Sequence, residues 1–155
     1  MHPSFATVRD MRISTRLQFG LRILCQLALA RNARPLQLGE IGEREGISEK
    51  YLGQIMLGLR SGKLVDAVRG SQGGYFLARP PASISVLDLV TSLDRELLEL
   101  DEGSEDGSAS GSTRGASSEA WKRLRVAMEE SLRAITLEEL ARDVEARRGT
   151  SDFTI

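Results

Sequence analysis

The sequence predicts a mainly α fold with a small β-wing, namely a winged helix-turn-helix followed by a long C-terminal helix. The first observation is a pair of short helical patterns, separated by a glycine, between residues 38 and 61. The second is a change of hydrophobic period from 3.6 to 2 around a glycine-rich turn, which is typical of a β-hairpin. The third is a long amphipathic pattern near the end of the chain, which predicts a helix with one apolar face.

Length and composition favour one globular domain with an appendage. The chain has 155 residues, of which 41% are hydrophobic, and this is enough for a core. Its single cysteine excludes a disulfide framework or a zinc finger within the chain. No apolar run approaches the ~20 residues of a membrane span and no signal peptide is evident, so we expect a cytoplasmic protein that does not contact the membrane.

The sequence lacks the side chains that catalysis or metal binding would need. The one histidine, His2, lies among the first ten residues, which have no periodicity. A metal site built on it would lack further ligands, and no nucleophile and base stand in a recognisable pattern. We therefore expect no enzymatic activity, no metal and no cofactor.

Charge is distributed unevenly along the chain. The net charge is −1, but residues 11–80 carry 11 Lys and Arg against 5 Asp and Glu, whereas residues 81–155 carry 9 against 16. The cationic part contains the helix-turn-helix pattern, as binding to phosphate requires. Such asymmetry also arises by chance in proteins that bind no nucleic acid, so by itself it supports nucleic-acid binding only modestly.

The periodic pattern begins after Met11, which is therefore a second candidate for the translation start beside Met1. Ser14 should cap a first helix that ends near Asn32. The apolar face of this helix is formed by Leu17, Leu21, Leu24, Cys25 and Ala28. On that face we interpret Cys25 as a small hydrophobe of the core.

The start of this helix has a second interpretation. Ser14, Thr15 and Arg16 combine two hydroxyls and a cation with the free N–H groups of a helix N-terminus. That combination suits a DNA phosphate. The alternative, equally supported by the sequence, is an ordinary N-cap without a ligand.

The helix-turn-helix follows at residue 38. Leu38 and Ile41 should face the core from its first helix, and Gly46 should turn the chain with a positive φ. Ser48 caps the next helix. The inward face of that helix is formed by Leu52, Ile55, Met56 and Leu59. Its exposed face is formed by Glu49, Lys50, Tyr51, Gln54 and Arg60.

A β-wing is expected next, with strands at 64–69 and 75–77 around the turn 70–74. Arg69 should lie at the tip of this hairpin, together with Gln72 and Gly73. A helix that presents Tyr, Gln and Lys suits the major groove, while a cation beside it suits a narrow minor groove.

The capping-box pair Ser85 and Asp88 should start a helix that ends near Asp94. Its apolar residues are Leu87, Leu89, Val90 and Leu93. The winged helix-turn-helix domain would thus span residues 11–94. A flexible loop is expected over 95–118, because 101–118 contains no aliphatic or aromatic side chain larger than alanine.

Two helices are expected over 119–147. An apolar stripe on the first helix is formed by Trp121, Leu124, Met128, Leu132 and Ile135. Thr136 and Glu139 then form a capping box for the last helix, which precedes a tail at 148–155. The stripe could pack on its own domain, but we favour a homodimer, since pairing would set two DNA-binding helices roughly 34 Å apart, one turn of DNA.

These elements resemble the Rrf2 superfamily of bacterial transcription regulators, which includes the IscR, NsrR and CymR types. The resemblance covers residues 11–142 and rests on MRISTRLQFGLRILCQLAL, ISEKYLGQIMLGLRSGKLVDAVRGSQGGYFLARP, ISVLDLVTSLD and a Trp-led helix ending AITLEEL. It implies that Ser48, Lys50, Tyr51 and Gln54 meet base edges and phosphates and that Arg69 enters the minor groove. Gly53 departs from the pattern, because many relatives carry Glu there.

The sensor also departs from part of the family. Iron–sulfur members carry three cysteines in the loop between the helices of Leu93 and Trp121, and this sequence has none there. Because such clusters require thiolate ligands, we predict that no cluster binds. The chain is closest in character to the cluster-free CymR type.

The last four residues suggest a protein partner. Asp152, Phe153, Thr154 and Ile155 are similar to the C-termini of serine acetyltransferases, whose final isoleucine enters the active site of O-acetylserine sulfhydrylase. CymR-type regulators control cysteine metabolism together with that enzyme. The resemblance therefore implies that this tail binds the sulfhydrylase. The alternative is a frayed chain end.

The expected function is a sequence-specific transcriptional regulator, in particular a repressor that blocks promoter access at a pseudo-palindromic site in double-stranded DNA. One alternative is a winged-helix module that mediates protein–protein assembly without specific DNA binding. Another is a regulator that responds to a different small-molecule or redox effector.

Overall fold

A computed structural model describes residues 13–99 and 111–151 of the chain. Its helices are α1 (Thr15–Ala30), α2 (Leu38–Glu45), α3 (Glu49–Ser61), α4 (Val86–Leu93), α5 (Gly111–Ala134) and α6 (Leu137–Ser151). An antiparallel pair of strands is formed by β1 (Val65–Val68) and β2 (Gly74–Leu77), and short 3₁₀ turns occupy Pro81–Ser83 and Arg95–Leu98. The predicted fold class, mainly α with a small β-wing, is confirmed.

The core lies between α1, α3 and α4. Its fully buried side chains include Ile23, Leu24, Leu27, Ile41, Leu52, Ile55, Met56, Leu59, Leu64 and Leu89. Leu93 of α4 inserts between glycines of the other two helices. A β-carbon on Gly20 would stand 2.5 Å from Leu93 Cδ1, and one on Gly58 would stand 2.6 Å from Leu93 Cδ2. These close approaches fix the position of α3 relative to α1.

The expected apolar face of α1 is confirmed for three residues, and the other two pack against the edge of the core. Leu17, Leu24 and Ala28 are buried as predicted, but Leu21 and Cys25 are only half-buried, and α1 ends at Ala30 rather than near Asn32. Leu21 and Cys25 face α6, where they line an open cavity with Leu140 and Val144. The fully buried side of α1 includes Ile23 and Leu27 instead, because α3 and α4 cover that side of the helix.

The helix-turn-helix follows the prediction closely. Gly46 ends α2 with φ +66°, and the N–H of Ile47 donates to the Gly42 carbonyl at 3.0 Å. Ile41 is fully buried, whereas Leu38 is half-buried. A β-carbon on Gly42 would stand 2.8 Å from the Ile47 carbonyl oxygen, so the turn requires this small residue. The angle between α2 and α3 is therefore set by local backbone geometry.

The wing is tied to the segment before α2. Its strands pair in register from Val65 with Leu77 to Val68 with Gly74, so both strands are four residues long. Leu36 and Tyr75 exchange two backbone hydrogen bonds, with N···O distances of 2.9 and 2.8 Å. The hairpin therefore does not stand free of the helical body.

The flexible loop expected over 95–118 is wrong at both of its ends. Arg95–Leu98 forms a 3₁₀ turn with Leu98 buried, and α5 begins at Gly111, well before residue 119. Residues 100–110 lie outside the described part of the chain. Extending a helix that has already nucleated adds one hydrogen bond for each residue that is fixed, so polar residues can join it without an apolar face.

The last helix also runs further than predicted. The Thr136 hydroxyl accepts from the N–H of Glu139 at 3.3 Å, which caps α6 as expected. The helix then continues to Ser151, so residues 148–151 of the predicted tail are helical. The proposed tail ligand at 152–155 lies outside the described residues.

The predicted apolar stripe, which runs along α5 and includes Ile135 just after its end, is largely uncovered. Trp121, Leu124 and Ile135 expose 46%, 44% and 38% of their surface, and α5 has no buried residue. Met128 and Leu132 are half-buried, since one side of α5 contacts α4. Among the described helices, none combines the length and apolar character of a membrane span.

Candidate nucleic-acid interface

The outward face of α3 is set by its N-cap and its buried face. The Ser48 hydroxyl accepts from the Tyr51 N–H at 3.3 Å, which starts the helix at Glu49. The predicted inward side chains, Leu52, Ile55, Met56 and Leu59, are all buried. Lys50 and Gln54 consequently point away from the core and are exposed. They offer three ammonium donors and a paired amide donor and acceptor, the groups that read base edges.

Tyr51 has a support that the sequence did not reveal. It is half-buried, and its ring meets the edge of Phe19 with ring centroids 6.2 Å apart and an interplanar angle of 83°. The Arg22 guanidinium lies over the other ring of this pair, 5.1 Å from the Phe19 centroid. Such contacts restrict the aromatic side chain and orient its hydroxyl. The one available signal was an aromatic residue outside the predicted stripe of α1.

Two predicted contact residues of α3 have partners within the protein. A β-carbon on Gly39 would stand 2.9 Å from Glu49 Oε1, so the Glu49 carboxylate lies beside the first turn of α2. A negative charge is stabilising at that end of a helix. Arg60 pairs with Asp66 of β1 at 3.8 Å, with both side chains at least half exposed. These two residues are therefore less available for DNA than Lys50 and Gln54.

The wing tip presents one exposed cation. Arg69 follows the end of β1 and is exposed, and Gly70 continues the turn with φ +111°. Gly73 is buried, and its N–H donates to the Gly70 carbonyl at 3.0 Å. A β-carbon on Gly73 would also collide with the backbone of Val68. The role of Gly73 is thus to shape the tip that carries Arg69.

The wing tip is also joined to α2. The Gln37 side-chain amide donates to the Ser71 carbonyl at 3.3 Å, and Gln72, beside it, is exposed. Gln37 precedes α2 and makes no side-chain cap to it. The start of α2 and the wing tip therefore line one groove.

The start of α1 belongs to the same surface as α3. The Ser14 hydroxyl accepts from the Leu17 N–H at 3.2 Å, so Ser14 is an N-cap. As an acceptor there, the hydroxyl keeps its own hydrogen for a further partner. Thr15 and Arg16 are exposed, and Arg16 Nη2 lies 3.0 Å from the position of a β-carbon on Gly58. The N-cap and phosphate interpretations are therefore compatible.

Not every cation of this half of the chain is free. Glu40 accepts from Arg34 Nη2 at 2.7 Å and from Arg34 Nη1 at 3.0 Å, and Arg44 Nη2 joins it at 3.1 Å. The hydrogen bonds from Arg34 hold the pKa of Glu40 below its usual value. Because Glu40 balances part of this charge, the surplus of cations in residues 13–80 lies elsewhere, at Arg31 and Lys63 as well as at Arg16, Lys50 and Arg69.

Cys25 lies apart from these groups, on the side of α1 that faces α6. Burial, and then the charge of Glu45, raise the pKa of its thiol. A thiol with a raised pKa has little thiolate at neutral pH, and the thiolate is the form that reacts with oxidants and binds metals. Within residues 13–99 and 111–151, no three His, Cys, Asp or Glu side chains cluster as a metal site would require.

Comparison with protein families matches residues 13–143 to the Rrf2 family, described as an iron-dependent transcriptional regulator. The regulator CymR of Bacillus subtilis is 35% identical over 84% of this chain and 90% of its own length. The regulator IscR of Escherichia coli is 32% identical over 92% of this chain and 90% of its own length.

Solved structures give the same picture. CymR, the global cysteine regulator of B. subtilis, superposes with a TM-score of 0.69 at 33% identity, covering 84% of this chain and 95% of that one. IscR of T. potens superposes with the same TM-score at 34% identity, covering 88% of this chain and 90% of that one.

Proposed function

This chain is a transcriptional regulator that belongs to the Rrf2 family, and we propose that it is a repressor that binds a pseudo-palindromic operator as a homodimer. The observation that carries this proposal is a set of exposed polar side chains on elements that pack against one another. Lys50 and Gln54 point outward from α3, Arg16 lies against the same helix, and Arg69 stands at the tip of a wing that is tied to α2.

The division of roles follows from the chemistry of each group. Gln54 and Lys50 would meet base edges in the major groove, where amides and cations read distinct patterns. Arg69 would enter the minor groove and respond to its width through the electrostatic potential. Ser14, Thr15 and Arg16 would hold a backbone phosphate, which fixes the register of the protein on the duplex.

Dimerisation is supported by the apolar stripe of α5. Trp121 and Leu124 each expose more than two fifths of their surface, and contact with a second copy would remove this area from water. Trp121→Glu should give a monomer in light scattering at micromolar concentration, whereas Val126→Glu, an equally apolar exposed position off the stripe, should remain a dimer. A monomeric wild-type chain would contradict this part of the proposal.

The chain does not fit a thiolate-bound iron cluster, although the family is described as iron-dependent. One chain supplies a single cysteine, Cys25, which lies on α1. Iron–sulfur clusters need several cysteine ligands, and the 100–110 segment contains neither cysteine nor histidine. We therefore propose an effector other than such a cluster.

A protein-borne effector is the specific version of this proposal. The helix α6 extends to Ser151, and the residues that follow it are Asp152, Phe153, Thr154 and Ile155. These residues would enter the active site of O-acetylserine sulfhydrylase and link the regulator to cysteine metabolism. The similarity to CymR, which is the global cysteine regulator of B. subtilis, supports this assignment.

The central experiment is selection of binding sites from random DNA with the full chain. A recovered two-fold symmetric site, bound with an affinity that falls steeply with salt, is expected. If no sequence is enriched while a protein partner still binds, the chain is instead a module for protein–protein assembly.

The partner is tested by calorimetry with O-acetylserine sulfhydrylase. Deletion of Ile155 should abolish binding to the enzyme and leave both dimerisation and operator binding unchanged. If the enzyme binds the full chain and the shortened chain equally, or binds neither, the proposed role of the tail is wrong.

A further inference from the structure

Leu57 is a hydrophobic side chain with no place in the core. It exposes 69% of its surface, the largest exposed fraction among the large apolar side chains of the described residues. It lies in the third turn of α3, whereas the core side of that helix is formed by other residues. Because removing apolar surface from water is favourable, such exposure favours a ligand that covers it.

Leu57 lies on the same face of α3 as the proposed base-reading residues. Lys50, Gln54 and Leu57 are separated by four and three residues, so they lie on one face of the helix. Leu57 therefore extends this face by one turn toward the C-terminus of α3.

Gly53 makes this face unusually open. Apart from the two neighbouring residues and the backbone of α3 itself, no atom lies within 4 Å of the position that a β-carbon on Gly53 would occupy. The surface between Lys50 and Leu57 thus lacks a side chain at its centre, beside Gln54. A groove wall can approach the helix backbone there more closely than it could with a longer residue.

The dimensions of this face fit the major groove. Seven residues of helix rise about 10 Å, and the groove is about 12 Å wide. In homeodomains the residues that read bases from the recognition helix have the spacing i, i+3, i+4 and i+7. Lys50, Gly53, Gln54 and Leu57 have this same spacing.

An apolar side chain in the major groove has one specific partner. Base edges there present hydrogen-bond donors and acceptors, with the C5-methyl group of thymine as the apolar exception. We propose that Leu57 contacts a thymine methyl group next to the base that Gln54 reads. This assignment rests on the proposed DNA binding and adds a thymine to the sequence preference of each half-site.

The test replaces thymine by uracil, which removes only the methyl group. Each thymine of the selected operator is replaced in turn, and dissociation constants are measured by fluorescence anisotropy at one salt concentration. For the wild-type chain, one position in each half-site should weaken binding, by roughly three- to fivefold if the methyl group is buried. The same replacement should have no effect on the Leu57→Ala chain.

Two further variants guard the interpretation. Leu57→Met keeps an apolar side chain and should keep the sensitivity to the methyl group. Val126→Ala shortens an exposed apolar residue of α5 and should behave as the wild type. A circular dichroism melt of each variant verifies that it is folded.

Different results separate this inference from the proposed function. If the wild type selects an operator but no uracil replacement weakens binding, DNA binding stands and the role of Leu57 is overturned. If Leu57→Ala stays as sensitive as the wild type at every thymine, it is also overturned. If no operator is selected at all, the proposed function and this inference both fail.

Discussion

Arg16 Nη2 lies 3.0 Å from the position that a β-carbon on Gly58 would occupy, so the first turn of α1 rests against the third turn of α3. The proposed phosphate-binding residues and the proposed base-reading helix are therefore held together. Two helices that are well separated in sequence therefore contribute to one surface, and this relationship leads to the first prediction.

Arg16→Ala should weaken binding to all DNA sequences by a similar factor, because a phosphate contact carries no base information. The slope of log affinity against log salt should fall by about one, since one fewer counterion is released. A salt titration with operator and with random DNA measures both effects. Arg148→Ala, on the exposed end of α6, is the matched control. A loss confined to the operator would contradict the phosphate contact.

Arg69 and Gln54 should differ in what they read. Arg69→Ala should weaken operator binding and relax the preference for a narrow A·T-rich minor groove. Gln54→Ala should cost on the order of 1 to 3 kcal/mol at one base position. Selection from random DNA with each variant shows which positions lose their preference. If both variants weaken binding to every DNA sequence equally, the separate roles proposed for Arg69 and Gln54 are wrong.

Gly53→Ala should stabilise the free protein by about 0.5 to 1 kcal/mol, because alanine loses less backbone entropy in a helix and no atom obstructs its β-carbon. Urea unfolding at fixed protein concentration measures this difference. Gly58→Ala is the matched control in the same helix. Its β-carbon would stand 2.6 Å from Leu93 Cδ2, so overpacking of about 1 to 3 kcal/mol should destabilise the fold. The same sign for both variants would contradict this account of α3.

Cys25 should react slowly with iodoacetamide at neutral pH. Its pKa is raised by burial and by Glu45, and each unit of pKa lowers the thiolate fraction about tenfold. The alkylation rate, followed by mass spectrometry, should keep rising above the pH at which a free thiol reaches its plateau. Glu45→Gln should increase the rate at neutral pH, whereas Glu43→Gln, on the exposed side of α2, should not. A rate equal to that of a free thiol would contradict the raised pKa of Cys25 and would support a regulator that responds to a redox effector.

Local signals in the sequence were sufficient for much of the fold. The sequence predicts Ser48 and Ser85 as helix caps, because their hydroxyls lie three residues before an N–H that needs an acceptor. It also predicts Gly46 as the turn, because glycine readily adopts the positive φ that a sharp turn needs. These features depend on neighbours within a few residues.

Non-local packing explains what the sequence did not predict. The half-burial of Leu21 and the full burial of Ile23 depend on where α3, α4 and α6 pack against α1. The contact between Phe19 and Tyr51 joins two helices, and the hydrophobic periodicity of either helix does not predict it. The early start of α5 depends on helix propagation into a polar segment, which composition alone argues against.

The exchange of two hydrogen bonds between Leu36 and Tyr75 also bears on how the protein searches a chromosome. A wing that had to become ordered at each encounter would lose conformational entropy every time the protein met non-specific DNA. In this protein the hairpin is already bound to the helical body, so this entropy is lost once, during folding, and not again at each encounter with DNA. Each trial of a new position can therefore be brief, and the difference between operator and other DNA should lie in how long the protein stays rather than in how fast it docks.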